Sequence, residues 1–532
     1  MDDKNSYNLI DEPWIPVLMR DGKNCSVSLG DVFADSDGVI ADLALNPYER
    51  VAVFRLLLCI AQAALGPERL KDERAWKAVK DDIGPVGTAY LKKWHDRFFL
   101  YGPHAFLQPD DVKTAKGNDD ASTAFNSDIN KICLARASGN NSTLFDHEAT
   151  HLERLMSNSE RIINLLVFQS FSSGGRFSQC KWDGIESPKS GSAFSSPCRE
   201  NDILFSIMIG DDLLETVWLN LLTKAILDSS KIQLGVPLWE INEMSRASLK
   251  DCAWTYLGHL LPFSRIVKMT THNSGVIMGE GIVYPTLNPD KKDPGKRPYG
   301  WRDPMATVMP NGDELPVYVS ANPTRMPWRD LASLLNVQGS RGVSSALMLR
   351  HRGYLPDEKE FVLWVGGLST DQAKDLDVVE WMSRLSTDLL EAPNNQQYQT
   401  AINYADHQCG ALYSACKSYA LMAKTPDATK PIKKNKENEL VAPVFQPAER
   451  IYWDTLAQPT NQWIVQNVKS ETYWDDWKKA TREAAVEAYR RACPAMNARQ
   501  MEAFAQGFAK LMVRDDTKKK LDPAADSEDK EE

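Results

Sequence analysis

Residues 361–374 read FVLWVGGLSTDQAK: five apolar residues, then Gly366-Gly367, then a short polar tip that carries Gln372. A short apolar run rich in Val, Phe and Trp and closed by paired glycines is a buried strand that ends in a turn. The next stretch, 375–385, has apolar residues at helical steps and is predicted as a helix. Toward the N terminus, 15–19 and 25–29 are extended runs around Asp21-Gly22-Lys23, which predicts a hairpin within 8–35. Asn46-Pro47 opens a helix through Leu65 that is apolar nearly all round (Val51, Phe54, Leu57, Leu58, Ala61), so it belongs at the centre of a core. Further buried helices are predicted at 159–169 and 213–227, with extended segments at 203–209 and 315–319. Strands and helices that do not alternate regularly make this an α+β fold rather than a βα repeat.

After Pro393 the pattern changes. Ile402, Ala405, Cys409, Leu412, Cys416 and Tyr419 recur at steps of three and four, and Met501, Phe504, Ala505, Phe508, Leu511 and Met512 do the same. Helices at about 448–456 and 474–492, ended near Pro459 and Pro494, complete a set of four one-sided helices. The expected architecture is a large irregular N-terminal α+β domain over 1–390, a C-terminal four-helix bundle over 391–515, and a charged, disordered tail over 516–532. Residues 423–440 read as a basic, polar loop.

Composition narrows the function. The 532 residues are 43% apolar and 25% charged, and 15 Trp with 17 Phe supply ample bulk for two cores. No run reaches the roughly 18 apolar residues of a membrane span, and MDDKNSYNLIDEPW lacks a signal-peptide core, so a cytoplasmic chain without a membrane partner is expected. Nine scattered cysteines with no Cys-x-x-Cys argue against a disulfide framework and a zinc knuckle. The net charge of -10 opposes nucleic-acid binding as a sum, but part of it lies in the tail, so basic loops must be weighed locally.

There is no phosphate loop, dinucleotide fingerprint or nucleophile elbow, which leaves an enzyme little support. The exception is His147-Glu148-Ala149-Thr150-His151, which has the spacing of a zinc metallopeptidase helix and is the alternative reading. Against it, Glu153 stands where an apolar residue belongs, and 135–142 is a Gly/Asn loop. Three loops suit nucleic acid better. Gly174, Gly175 and Arg176 follow a buried helix and combine a close-approach backbone with a guanidinium; the bland alternative is a helix C-cap. Lys291, Lys292, Lys296, Arg297 and Arg302 crowd a Pro/Gly-rich loop, where the alternative is a solvated charged surface. Thr370, Asp371, Gln372 and Ala373 form the tip with which the reading began.

In order along the chain, several landmarks resemble the large subunit, CasA, of the type I-E CRISPR surveillance complex Cascade. They are NLIDEPWIPV at 8–17, LLCI at 57–60, GNNSTLF at 139–145, Gly174-Gly175, Trp301 with Asp303-Pro304, Gly366-Gly367 with Gln372-Ala373, and the bundle. The resemblance implies a non-catalytic, cofactor-free subunit that reads the protospacer-adjacent motif in duplex DNA while a guide RNA reads the rest by pairing. It implies that Leu144, Phe145 and Asp146 grip the guide's handle. Gly174, Gly175, Arg176 and Lys291 or Lys292 would face the minor groove, where acceptors predominate and readout is degenerate. Thr370, Asp371, Gln372 and Ala373 would form a wedge against base stacking. The implied partners are the other Cascade subunits, guide CRISPR RNA, double-stranded target DNA and a helicase-nuclease. Lys478, Lys479, Arg482, Arg490 and Arg491 on the bundle would hold a displaced strand or simply be solvated. Some relatives carry a cysteine-rich zinc knuckle that this sequence lacks, so no structural metal is expected. Asp371 departs from the pattern by placing a negative charge beside the wedge glutamine.

Overall fold

A computed structural model describes residues 7–114, 125–136, 155–175, 179–187, 194–269, 275–291, 295–337, 342–371, 374–424 and 433–513. The chain divides into two compact units, Met1–Leu385 and Ser386–Glu532. The first is α+β and the second helical, as the sequence pattern predicts.

Helix α1 (Pro47–Arg69) is the axis of the first unit. Pro47 at its first position is pre-set for helical φ, and the Glu49 carboxylate accepts from the Asn46 amide at 3.2 Å. It is long and apolar enough to cross a membrane, yet most of it is buried inside this unit. Helix α2 (Asn158–Phe171) packs against it, started by the Ser157–Glu160 capping box. The predicted N-terminal hairpin is present, Ile15–Met19 against Asn24–Val27.

The helix expected over 213–227 is instead two, Leu213–Asn220 and Lys224–Ser229. Gln62 of α1 explains the break. Its side-chain amide donates to the Leu222 carbonyl and its oxygen accepts from the Leu222 amide, both at 2.9 Å, replacing lost helical bonds. Nearby, Trp76 and Trp218 stack with centroids 4.1 Å apart, and each indole N–H donates to the other residue's carbonyl. His351 stacks on the same Trp76 at 4.7 Å.

The helix expected over 375–385 is a correction of larger consequence. Strand β2 (Glu360–Asp371) is followed after only two residues by strand β3 (Lys374–Ser386), next to it in the sheet. Strands so closely joined must run antiparallel. Leu376, Val379, Met382 and Leu385 step by three, which imitates a helix in sequence. Burial, however, has period two: Val379 and Leu385 are buried, whereas Val378 and Met382 are 41% and 56% exposed. The indole of Trp364 also donates to Glu380 across the pair at 2.6 Å. Behind β2 lies strand β1 (Phe205–Ile209), antiparallel from Val362↔Ile209 to Gly366↔Phe205.

The second unit has five described helices, α3 (Ala392–Lys424), α4 (Lys434–Leu456), α5 (Pro459–Gln466), α6 (Tyr473–Ala492) and α7 (Ala498–Val513). The four long ones pack as a bundle around Tyr398, Ala401, Ile402, Ala405, Leu412 and Cys416. Cross-helix bonds lock it: Trp477 donates to the Ala401 carbonyl and Tyr452 to that of Ala405, both at 2.8 Å. The expected loop over 423–440 is shorter than predicted, because α4 starts at Lys434 and not at 448. Pro443 and Pro447 lie inside this helix and both face solvent, where freed carbonyls can hydrate. Val441, Val444, Ala448 and Tyr452 bury the opposite stripe. Pro459, read as a stop, is the first residue of the short α5.

Candidate nucleic-acid interface

The end of the β2–β3 hairpin runs past its supporting strand, since pairing to β1 stops at Gly366. Two polar contacts hold it. The Thr370 hydroxyl donates to Asp202 at 2.5 Å, and Arg199 forms an ion pair with Asp375 at 2.6 Å. Both come from one short 3-10 turn, Pro197–Asp202. Asp202 sits there at φ +53, a conformation aspartate tolerates better than most residues.

The same turn reaches the glycine loop. Arg199 donates to the carbonyl of Phe171, the last residue of α2, at 3.1 Å, and the Ser196 amide donates to the Ser172 carbonyl at 2.9 Å. Buried hydroxyls of Ser172, Ser196 and Ser264 continue the chain at 2.6 and 2.8 Å. Arg265 bridges the carbonyls of Ser173 and Phe194. Gly174 and Gly175 follow directly. Gly175 has φ +142 and open space where a Cβ would stand, so the backbone conformation rather than crowding calls for glycine.

Between the hairpin end and the lysine loop lies an open cleft of about 660 Å³. Its cations are Arg199, Lys291 and Arg297; its carboxylates are Glu200, Asp202, Asp290, Glu314 and Asp371. With carboxylates in excess, the floor repels phosphate, and an anionic backbone would have to pass along the rim. Lys291 is on that rim: its side chain is 77% exposed and pairs with Glu314 at 2.9 Å. An exposed pair contributes only about 0–1 kcal/mol, so exchanging Glu314 for a nucleic-acid acceptor costs little. Of the basic cluster, Arg297 is buried, donating to Tyr284 at 2.7 Å, and Arg302 is held by the carbonyls of Ser344 and Ser345. They are scaffolding for the loop.

Burial pushes the Glu200 carboxyl up to about 7, with Arg297 opposing. A carboxyl raised in the fold favours folding fully below its usual value near 4.5, and that contribution is lost as pH rises through about 7. Thermal unfolding across this window is expected to show Glu200→Gln with a flatter pH dependence than the unsubstituted chain. Parallel curves would remove Glu200 from the account.

Among the site residues predicted from sequence, Lys291, Thr370 and Asp371 line this cleft, and Gly174 and Gly175 follow the segment 171–173 that is bonded to its supporting turn and to Arg265. Leu144, Phe145, Asp146, Arg176, Lys292, Gln372 and Ala373 lie outside the described residues, as do His147, Glu148 and His151 of the peptidase alternative and the tail over 516–532. Among the described residues, no group of three or more His, Cys, Asp and Glu is placed to hold a metal ion. Sequence reasoning missed Arg199, Glu200, Asp202 and Arg265. Only Pro197 marks the turn that carries the first three, and nothing marks them as polar core.

The α+β unit followed by a helical bundle, with landmarks collinear from Asn8 to the bundle, is the design of a CRISPR-associated protein. The family model for CRISPR-associated protein Cse1 matches residues 8–490, and the chain belongs to that family. The resemblance read from the landmarks is thereby borne out. The CRISPR-associated protein CasA/Cse1 of Thermus thermophilus is 28% identical, over 95% of this chain and 97% of the relative. The crystal structure of CasA from Thermus thermophilus superposes with TM-score 0.73 at 24% identity, covering 95% of this chain and 98% of that one. A chain in a structure described as a CRISPR RNA-guided surveillance complex superposes with TM-score 0.71 at 18% identity, covering 96% and 100%.

Proposed function

We propose that this protein is the non-catalytic DNA-recognition subunit of a cytoplasmic RNA-guided surveillance complex. In this reading it meets the protospacer-adjacent motif through Gly174-Gly175 and the Lys291 loop, and starts strand separation with the tip at 372–373. The loop at 144–146 engages the guide RNA, and a helicase-nuclease is recruited after the target strand has paired. The observation that carries the reading is that one short turn, Pro197–Asp202, is bonded to the end of α2 just before the glycines and to the β2–β3 hairpin, and lines one cleft with Lys291, Thr370 and Asp371. Family membership supports it, as does the surveillance complex that contains a chain of this fold. A lysine on a rim fits minor-groove acceptors, and a two-residue tip is small enough to enter between base pairs, where unstacking costs on the order of a few kcal/mol.

The test uses the assembled complex with duplexes that carry or lack the motif. Lys291→Ala combined with Lys292→Ala is expected to weaken motif-dependent capture by about tenfold, the scale of one or two lost groove contacts. Gln372→Ala is expected to leave a captured duplex that opens poorly. If both variants capture and open target as the unsubstituted complex does, these loops do not read DNA.

A further inference from the structure

We infer that the turn Pro197–Asp202 couples groove contact to strand opening, with Arg199 as the positioning residue that ties the glycine loop to the hairpin tip. This rests on the function proposed above. The Arg199 side chain is 3% exposed, and one guanidinium nitrogen serves both the Phe171 carbonyl and the Asp375 carboxylate. Its other terminal nitrogen, Nη2, is buried with no hydrogen-bond partner among the described residues. The buried guanidinium is paired with Asp375 and bonded to Phe171, with Asp202 of its own turn close enough to attract it, so its position follows these groups together.

The leverage is geometric. Phe171 is three residues before Gly174, and Asp375 is two residues after Ala373. Asp202, at the other end of the turn, holds Thr370 on the opposite strand of the same hairpin. The turn therefore grips both strands just behind the tip and the last carbonyl of α2, three residues before the glycines. Because pairing to β1 has ended by Gly366, no third strand among the described residues pairs with this part of the hairpin. A small displacement of the glycine loop on meeting a duplex has a contiguous polar route to the tip, which is what a coupling claim physically requires.

Two variants test this, Asp375→Asn and Arg199→Lys, in the assembled complex with a motif-bearing duplex. Asp375→Asn keeps the side-chain shape and guards against a misfolded Arg199 variant. Both are expected to capture duplex within about twofold of the unsubstituted complex but to open it roughly tenfold more slowly, followed by 2-aminopurine fluorescence beside the motif. A duplex already mismatched next to the motif is expected to restore normal opening, which a merely damaged fold would not do. Capture and opening that fall together, opening at the normal rate, or a mismatch that fails to rescue would each overturn the coupling. Gln372→Ala, run in parallel, separates the two ideas. If it opens duplex normally, the wedge itself is wrong; if it alone fails, only the coupling is.

Discussion

Asp303→Ala is expected to destabilise the N-terminal unit by roughly 3–5 kcal/mol, the scale for removing one partner of a buried ion pair. Asp303 and Arg55 meet at 2.8 Å with side chains 4% and 1% exposed. Arg55 comes from the middle of α1 and also donates to the carbonyls of His259 and Leu260. The other Asp303 oxygen accepts from the Met305 amide at 2.9 Å, and its own amide donates to the Tyr318 hydroxyl at 3.0 Å. Without the carboxylate, a guanidinium stays buried with no counter-charge. Urea unfolding measures the loss. The pair Arg55→Met with Asp303→Leu is expected to recover part of it, because no charge then remains buried. A loss under about 1 kcal/mol for Asp303→Ala would show that water reaches the site.

Gly367→Ala is expected to be more damaging than Gly366→Ala, although the two glycines are adjacent in one strand. A Cβ on Gly367 would stand 2.3 Å from the Ile203 carbonyl oxygen and 3.3 Å from the Ala321 Cβ, and a backbone oxygen cannot rotate away. On Gly366 its closest contact would be the side-chain ring of Trp364 at 2.5 Å, and the nearest backbone oxygen, that of Val379, would stand at 3.1 Å. Overpacking of the first kind costs about 1–3 kcal/mol. It also tilts the hairpin just behind the Thr370–Asp202 contact, so strand opening is expected to fall along with thermal stability. Equal melting temperatures for the two variants would contradict this account.

These glycines also show what the sequence discloses. FVLWV identifies a buried strand, which is present, but Gly-Gly, read as its end in a turn, lies inside a strand that runs on to Asp371. The sequence does not disclose that the chain returns as a strand, because Leu376, Val379, Met382 and Leu385 satisfy a helical period. Only pairing with β2 selects the other one. The core helix is legible because its apolar surface is nearly continuous, whereas the break at Leu221 is not, since it depends on Gln62 from 160 residues away. Lys291 and the hairpin tip are legible as a cation and a polar turn. Arg199 is not: a buried arginine carries no local signal, and its partners at Phe171 and Asp375 are set by tertiary structure alone.

The stacked pair Trp76 and Trp218 has a spectroscopic consequence. Two indoles 4.1 Å apart and inclined by 17° couple their electronic transitions, giving an exciton band in circular dichroism that depends on that one contact. In the bundle, Trp453 and Trp474 meet Tyr452 and Tyr473 edge-on instead. The N-terminal unit thus carries its own optical reporter, by which its melting can be followed.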